Sequence, residues 1–586
     1  MGMKLRLEKG SEILRILLIG EAIYLLFNSI SQMKDYQDTW VLQGLEVPYL
    51  LFVTTFVILF LCERDFEYLL LMAILARYTF VLIPNLKYDF FLGRSMDQHL
   101  QYVLSRDVIL LEKISPLYNY PYYPTGRYYI ESPFFHIAMS IFSQISGFDL
   151  EKTMKVFPIL LNVIYPLYGY ILLNKFMPNA PDHVKKIGLF LTAIPINSSI
   201  SYLVTGSLFV YVFLLAILIQ TLNLLTNANR KNYLMYIILV FGSTLSHPIE
   251  TLHFLAISFI IIVIYSLIFN RGKTYLIQLY FTGLVLNLGW ILNRSDQFDY
   301  ITALFVIKES SGTVITPTFF RLFEINIINT LKIIMLTYGT SFFLSFLTLI
   351  SIYVIVKHYG GLSQLEPAYK FLILYTLLVW GLTGIGFILG IGFDYFGRVY
   401  RLAYFTHPLL SSYFIVKIAN NRIRNVIMMV ILVTVVGFST LQYYSPPFMI
   451  PNASIVYPEV GADEPLLYRG QVNSIYQLEM IRFSNDYVQG RIASDAVTRN
   501  QMIGLTPRDY FNDYVTWYYP LNKEIYPDIE EKEYEYFMLH IPGISGAYEE
   551  RADIRSAETI NAQITSPEYS LIYSNSKSLI LYNNKR

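Results

Sequence analysis

The stretch "LLLMAILARYTFVLIPNLKYDFFLGRSMDQHL", residues 69–100, carries an apolar run directly into a loop that contains several charged residues. A membrane-spanning helix needs roughly 20 mostly apolar residues, and comparable runs recur along the chain until about residue 443. Hydrophobic residues make up 54% of the chain and charged residues only 15%, a balance outside the usual range of soluble domains. The sequence therefore predicts a polytopic α-helical membrane protein.

Composition also excludes several classes of function. The net charge is +1 and no tract is dense in Lys or Arg, so the chain lacks the electrostatic footprint that a nucleic-acid partner requires. A cytosolic enzyme, a polymerase and a repressor are excluded. Cys62 is the only cysteine, which excludes an intrachain disulfide and a cysteine-based zinc site.

Basic residues set the predicted topology. Lys4, Arg6, Lys9 and Arg15 precede a first apolar run that lacks a small-residue cleavage site, which indicates a retained anchor with a cytoplasmic N-terminus. The run at 133–147 is short for a span, and we interpret it as juxtamembrane or re-entrant, because the later basic clusters then all lie inside. The predicted spans, about 13 in number, are 16–30, 47–61, 68–83, 154–173, 187–204, 207–226, 232–248, 252–270, 275–292, 337–356, 369–391, 402–417 and 426–443.

The same parity places several segments on the outer face. The tail carries 12 Lys and Arg against 19 Asp and Glu, a net charge of −7, and contains short β-rich runs. We expect a transmembrane domain followed by a soluble extracytoplasmic α/β domain. The two domains are predicted at 1–443 and 444–586, and the other outer segments are the catalytic loop 85–132, the turn around His247, the loop 293–336 and the turn 392–400.

The loop 85–132 contains the first candidates for chemistry. Ser95, with Gln98 three residues later, has the pattern of a capping box that opens a helix. Asp97 lies in the first turn of that helix, where the amide dipoles favour a carboxylate, and on the same face as apolar residues such as Leu104. The functional interpretation is a base or acceptor-orienting group, with Asp89 as a second carboxylate. The alternative is that Asp97 only stabilises the start of the helix.

Basic and aromatic residues surround these carboxylates in sequence. Arg94 and His99 flank Asp97 as candidates for substrate binding, although helical geometry points His99 away from Asp97 and argues against a hydrogen-bonded dyad. In "YNYPYYPTGRYYIESPFFH", residues 118–136, aromatic residues and prolines surround Arg127. This stretch is either an interfacial aromatic belt or a groove in which Arg127 binds a phosphate.

Two predicted outer turns supply further candidates. In "SHPIETLH", residues 246–253, His247 and Glu250 share a helix face through their i,i+3 spacing, a weak case for a metal site. In "FDYFGRVYRLAYFTH", residues 393–407, Arg398 and Arg401 have the same spacing at a membrane entry point. That geometry suits a clamp on a lipid phosphate, or else these are snorkelling surface arginines.

Two charges lie inside predicted spans. Glu21 and Arg77 would be costly in the bilayer without a partner, so we expect them to pair structurally.

In their order along the chain, these motifs resemble the GT-C glycosyltransferases of archaea and bacteria. The resemblance rests on "DQHL" (97–100), "YYPTGRYYIESPFFH" (122–136), "SHPIETL" (246–252) and, in the tail, "RIASDAVTRNQMIGLT" (491–506). The chain departs from the family because two helices precede the one that enters the loop and because its carboxylates are not a tight pair. The tail also lacks the Trp-Trp-Asp signature of oligosaccharyltransferases, which argues against en bloc glycan transfer to asparagine.

The resemblance implies an inverting membrane glycosyltransferase that moves a sugar from a polyprenyl-phosphate donor to a glycan, lipid or protein acceptor at the outer face. Asp97 would be its carboxylate, with Asp89 as the substitute, and Arg398 and Arg401 match the position where members hold donor phosphate. A divalent metal, Mg²⁺ or Mn²⁺, is compatible with this family, but no ligand set is assigned. The competing interpretations are a transporter or flippase of a lipid-linked sugar and a noncatalytic membrane scaffold.

Overall fold

The protein is described here from a computed structural model. It describes residues 2–32, 42–87, 96–111, 133–195, 206–269, 274–293, 327–389, 399–416, 420–444, 475–494, 502, 515–517, 535–540, 567, 569–574 and 578–584. The helices are α1 Gly2–Ser31, α2 Glu46–Cys62, α3 Phe66–Lys87, α4 Met96–Leu111, α5 Pro133–Ser146, α6 Leu150–Phe176, α7 Asp182–Ala193, α8 Gly206–Thr226, α9 Arg230–Ser246, α10 Pro248–Phe269, α11 Thr274–Leu292, α12 Ile327–His358, α13 Pro367–Leu389, α14 His407–Leu410, α15 Asn421–Tyr444 and α16 Ile475–Tyr487.

Within these ranges, nine helices are long and apolar enough to cross a membrane: α1, α3, α6, α8, α10, α11, α12, α13 and α15. This confirms the prediction of a polytopic helical membrane protein. The other predicted spans correspond to shorter helical elements, so the count of about 13 crossings remains a prediction. Helix α5, predicted not to cross, has only 14 residues.

A large apolar core joins the long helices, while α4, α5 and the start of α6 form a smaller lobe. In this lobe Phe135 and Met139 of α5 pack with Met154 of α6 and Phe209 of α8. The lobe therefore lies at the start of α8. We call the end of the bundle at which α8 begins the loop end, because α3 ends there and leads into the loop 85–132.

Basic side chains collect at the opposite end of the bundle, where α3 begins. Lys186 of α7 donates a hydrogen bond to the carbonyl of Glu63, between α2 and α3. Lys175 at the end of α6 donates to Asn223 near the end of α8 at 2.6 Å. This grouping agrees with the positive-inside expectation, while the side of the membrane that each end faces remains a prediction.

The span predicted at 187–204 differs from the structure at its C-terminal half. Helix α7 ends at Ala193, and Ile194 adopts an extended conformation (φ −80°, ψ 131°). The cause is Pro195, because a proline disfavours helical geometry in the residue before it. Neighbouring helices donate to the buried carbonyl groups after the helix end, since Arg77 donates to Ile194 O at 2.8 Å and Ser439 donates to Pro195 O at 2.5 Å.

The span predicted at 402–417 is not one regular helix. Pro408 lies inside it, lacks an amide N–H and cannot continue an α-helix begun before it. His407 begins the short α14 and accepts a hydrogen bond at Nε2 from Trp380 Nε1 of α13 at 2.9 Å. The segment is a 3₁₀ turn over Leu402–Phe405, then α14, then a 3₁₀ turn over Ser411–Ile415.

The expected pairing of Glu21 with Arg77 is wrong. Glu21 of α1 accepts from Thr55 of α2 at 3.1 Å. Arg77 of α3 donates from Nε to Asn162 Oδ1 at 3.0 Å and lies 4.7 Å from the ring centre of Tyr165. Each charge is therefore held by polar or aromatic groups of neighbouring helices, as burial requires.

The tail combines helix α16 with a mixed five-stranded sheet, which confirms its predicted α/β character. The strand order is β2-β1-β3-β5-β4, with β1 parallel to β2 and β3, and β5 antiparallel to β3 and β4. Phe483 of α16 packs against Tyr573 of β4 at 4.6 Å between ring centres. The strands are β1 Ile492–Ser494, β2 Val515–Trp517, β3 Tyr536–His540, β4 Tyr569–Ser574 and β5 Ser578–Asn583.

Candidate functional site

A one-residue turn connects α9 to α10 at the loop end. His247, the turn residue, has an extended backbone (φ −164°, ψ 91°). Its Nδ1 lies 3.4 Å from the amide N–H of Glu250 and accepts from it, while Pro248 occupies the first position of α10. This is the arrangement of a helix N-cap followed by proline. Because Nδ1 accepts, the proton of a neutral His247 imidazole would be on Nε2.

Glu250 is the buried centre of the cluster. Its side chain is 0% exposed, and Tyr211 of α8 donates from its hydroxyl to Oε2 at 3.3 Å. The guanidinium Nη1 of Arg401 lies 3.9 Å from Oε1. A carboxylate so deeply buried requires an opposite charge and hydrogen-bond donors nearby. Residues from α8 and from the entry of the broken segment therefore converge on Glu250 of α10.

Hydrogen bonds to a neighbouring helix hold the backbone around Arg401 in place. Tyr400, the residue before it, hydrogen-bonds through its hydroxyl to Ser345 Oγ at 2.7 Å. Tyr404, one turn later, hydrogen-bonds to Ser341 Oγ at 2.5 Å. Both serines belong to α12, so this helix fixes the backbone that carries Arg401. The Arg401 side chain itself is 22% exposed, and its guanidinium is thus at the margin of the buried core.

A polar clasp joins α4 to α5 in the lobe. Ser140 donates to Ser105 O at 2.8 Å, and Ser105 Oγ lies 3.4 Å from His136 Nδ1. Ser105 already donates its own proton to Gln101 O, so the histidine is the donor in the second contact. Burial raises the pKa of the nearby Tyr102 hydroxyl. The clasp fixes α4, the helix whose first turn contains Asp97.

The structure brings together three of the residues that the sequence suggested. His247, Glu250 and Arg401 lie in one cluster at the loop end. The helix predicted to open after Ser95 begins at Met96, so Asp97 and His99 lie in α4, but their side chains are outside the described part of the structure. Asp89, Arg94, Arg127 and Arg398 lie outside the described residues altogether.

Sequence reasoning missed several buried polar residues, and two of them lie beside the candidate residues. Tyr211 lies within a continuous apolar run, where a tyrosine hydroxyl gives no sequence signal of its partner. Asp107 is only 4% exposed in α4, and its position between Arg106 and Val108 resembles an ordinary solvated helix face. The apolar residues that follow Asp107 in α4 could have indicated that this carboxylate is buried.

No group of three His, Cys, Asp or Glu side chains suitable for a metal occurs among the residues that the structure describes. His247 and Glu250 alone do not complete a ligand set. A role for Mg²⁺ or Mn²⁺ therefore remains a proposal without assigned ligands.

Comparison with known proteins identifies the fold. No family of known proteins and no curated protein matches the sequence. The oligosaccharyltransferase of Archaeoglobus fulgidus, solved with zinc and sulfate, is similar over 88% of this chain and 73% of that one, with 14% identity and a TM-score of 0.53. The same archaeal enzyme, AglB, solved with an inhibitory peptide and a dolichol-phosphate, matches over 88% and 74%, with 12% identity and a TM-score of 0.54. ArnT from Cupriavidus metallidurans covers 88% and 97% at 10% identity and a TM-score of 0.48. The chain therefore has the fold of the GT-C membrane glycosyltransferases.

Proposed function

We propose that this protein is a membrane glycosyltransferase that moves a sugar from a polyprenyl-phosphate donor to a glycan, lipid or protein acceptor. The observation that carries the proposal is the Glu250 and Arg401 pair at the loop end of a GT-C fold. Fold alone does not determine function, so the argument rests on what these side chains can bind. We place the loop end and the tail on the outer face of the membrane.

In this proposal Arg401 binds the donor phosphate. Its guanidinium is 3.9 Å from Glu250, beyond hydrogen-bond distance, and its side chain is 22% exposed. A guanidinium forms paired, charge-assisted hydrogen bonds with phosphate oxygens. His247, in the turn that also carries Glu250, is a further candidate for a contact with the donor. Arg398, Arg127, Arg94 and His99 are further candidates for contacts with substrate.

The proposed chemistry is a single displacement with inversion. Asp97 accepts the proton of the acceptor hydroxyl, whose oxygen forms a bond to the anomeric carbon from the face opposite the phosphate. The bond from that carbon to the phosphate oxygen breaks, and the electron pair leaves with the lipid phosphate, whose charge Arg401 stabilises. Asp89 is the substitute candidate for the base. A divalent metal, if one is bound, would help to neutralise the leaving phosphate, and no ligands are assigned to it.

The test is transfer by the purified full-length protein in lipid nanodiscs. Dolichyl-phosphate mannose and dolichyl-phosphate glucose serve as donors, lipid and glycan extracts serve as acceptors, and release of dolichyl phosphate is measured. We expect Asp97→Asn to reduce the rate by about 10² to 10⁴, the usual contribution of a positioned proton acceptor, because Asn keeps the shape but removes the base.

Asp89→Asn is the matched control, since it removes the other carboxylate of the same loop. If Asp89→Asn is inactive and Asp97→Asn keeps its rate, the two roles are exchanged. If both variants and the double variant transfer normally, the catalytic role of this loop is rejected. Movement of intact donor across the bilayer without release of dolichyl phosphate would instead support a flippase.

A further inference from the structure

A third helix closes the turn that carries His247. Asn287 of α11 is 0% exposed, and its side-chain Nδ2 donates to Thr244 Oγ1 and to Pro248 O, both at 3.1 Å. Thr244 belongs to the last turn of α9, and Pro248 is the first residue of α10. One amide group therefore bridges the two sides of the His247 turn.

The orientation of this amide is determined by its partners. Pro248 O can only accept a hydrogen bond, so the NH₂ group of Asn287, and not its oxygen, faces the turn. The turn needs such support because its backbone is extended between two helices whose end groups have no partners within the helix. Thr251 adds one more contact by donating to His247 O at 3.0 Å.

The geometry points to Asn287 as a positioning residue for donor binding. It fixes the turn that places His247 and Glu250, and Glu250 is the carboxylate that faces the Arg401 guanidinium at 3.9 Å. Asn287 touches no substrate in this account, because its side chain is fully buried. The inference rests on the proposed function for its consequence in catalysis, but not for its claim about the turn.

The alternative is that Asn287 only fills space in the core. Asn287→Leu separates the two explanations, because leucine has a similar shape but cannot donate. Leucine leaves the buried Pro248 carbonyl and Thr244 hydroxyl without this donor, so some loss of stability is expected and both measurements below are made on the folded fraction. Thr282→Val is the control on the same helix, since Thr282 is exposed and donates only to Gln278 O of its own helix.

The first measurement does not depend on activity. Hydrogen exchange of the full-length protein in nanodiscs should show faster exchange at the Glu250 and Thr251 amides in Asn287→Leu, with the last turns of α10 unchanged, and no such change in Thr282→Val. Unchanged exchange at these two amides would overturn the claim that Asn287 fixes the turn.

The second measurement concerns the donor. Asn287→Leu should raise the apparent KM for the dolichyl-phosphate sugar about tenfold, the size expected for one buried hydrogen bond, with kcat within about twofold of the parent. Combined with Arg401→Gln, its effect on KM should be less than multiplicative, because both changes act on the same contact. An unchanged KM despite faster exchange would overturn the link to donor binding. If the parent protein transfers no sugar, the proposed function fails, and the exchange result alone decides the role of Asn287 in the turn.

Discussion

Two glutamates, Glu63 and Glu250, are buried at opposite ends of the bundle and each faces an arginine, yet their surroundings differ. Glu63 Oε2 lies 2.9 Å from Arg15 Nε, and Oε1 accepts from the backbone N–H groups of Arg64 and Asp65 at 2.8 and 3.0 Å. Around Glu250 the corresponding distances are 3.3 Å and 3.9 Å. The ion pair of the carboxylate at the basic end is therefore shorter than the ion pair at the loop end, and Glu63 also accepts two backbone hydrogen bonds.

The two arginines differ in the same way, although their exposure is nearly equal. The side chain of Arg15 is 21% exposed and that of Arg401 is 22%. Arg15 lies 3.9 Å from the ring centre of Tyr68 and forms an ion pair with Glu63 at 2.9 Å, whereas the ion pair of Arg401 with Glu250 has an N–O distance of 3.9 Å. Exposure alone does not distinguish a structural arginine from a binding one. We expect the distance to the paired carboxylate, 2.9 Å for Arg15 and 3.9 Å for Arg401, to distinguish them.

The largest effect should follow from breaking the tightly bonded end. Glu63→Ala leaves Arg15 half-buried without its counter-charge and removes two backbone contacts, so we expect a loss of about 3 kcal/mol in the free energy of unfolding. Thermal unfolding in nanodiscs measures this, with the exposed Glu12→Ala as the control. The transfer rate per folded molecule should not change. A variant as stable as the parent would show that the contacts of Glu63 do not contribute to the free energy of unfolding.

A smaller effect should follow at the loop end, and it should be on binding. Arg401→Gln removes the charge that we assign to the donor phosphate, and contacts of this kind contribute about 1.5 to 3 kcal/mol. The apparent affinity for the donor should fall by about 10- to 100-fold. Arg15→Gln is the matched control, because it removes an equally exposed arginine and should alter stability only. If both variants lose donor affinity equally, the distinction between the two ends is not functional.

Much of the fold follows from the sequence because membrane helices are specified locally. The apolar runs and the capping pattern at Ser95 predicted where most helices lie. Pro195 and Pro408 also carried the information for the broken elements, since each proline ends or interrupts a helix by a local steric rule. Continuous spans were predicted at these two places because each apolar run is long enough to cross most of a membrane.

The candidate site was predictable only in part. The i,i+3 spacing related His247 to Glu250 within one turn of helix, and the structure retains that relation. The contacts of Glu250 with Tyr211 and Arg401 join residues far apart in the chain. They depend on how α8 and the broken segment pack against α10, which no local pattern encodes. For the same reason Asn287 gave no signal, since a single amide in an apolar helix does not identify its partner.

The central claim is that Arg401 binds a lipid phosphate at the loop end. The most direct test is an experimental structure of the full-length protein with dolichyl phosphate bound. We expect the phosphate oxygens about 2.7 to 2.9 Å from the Arg401 guanidinium nitrogens, with Glu250 still buried behind it. A phosphate bound among the basic residues of the opposite end, with Arg401 making no contact to it, would contradict the account.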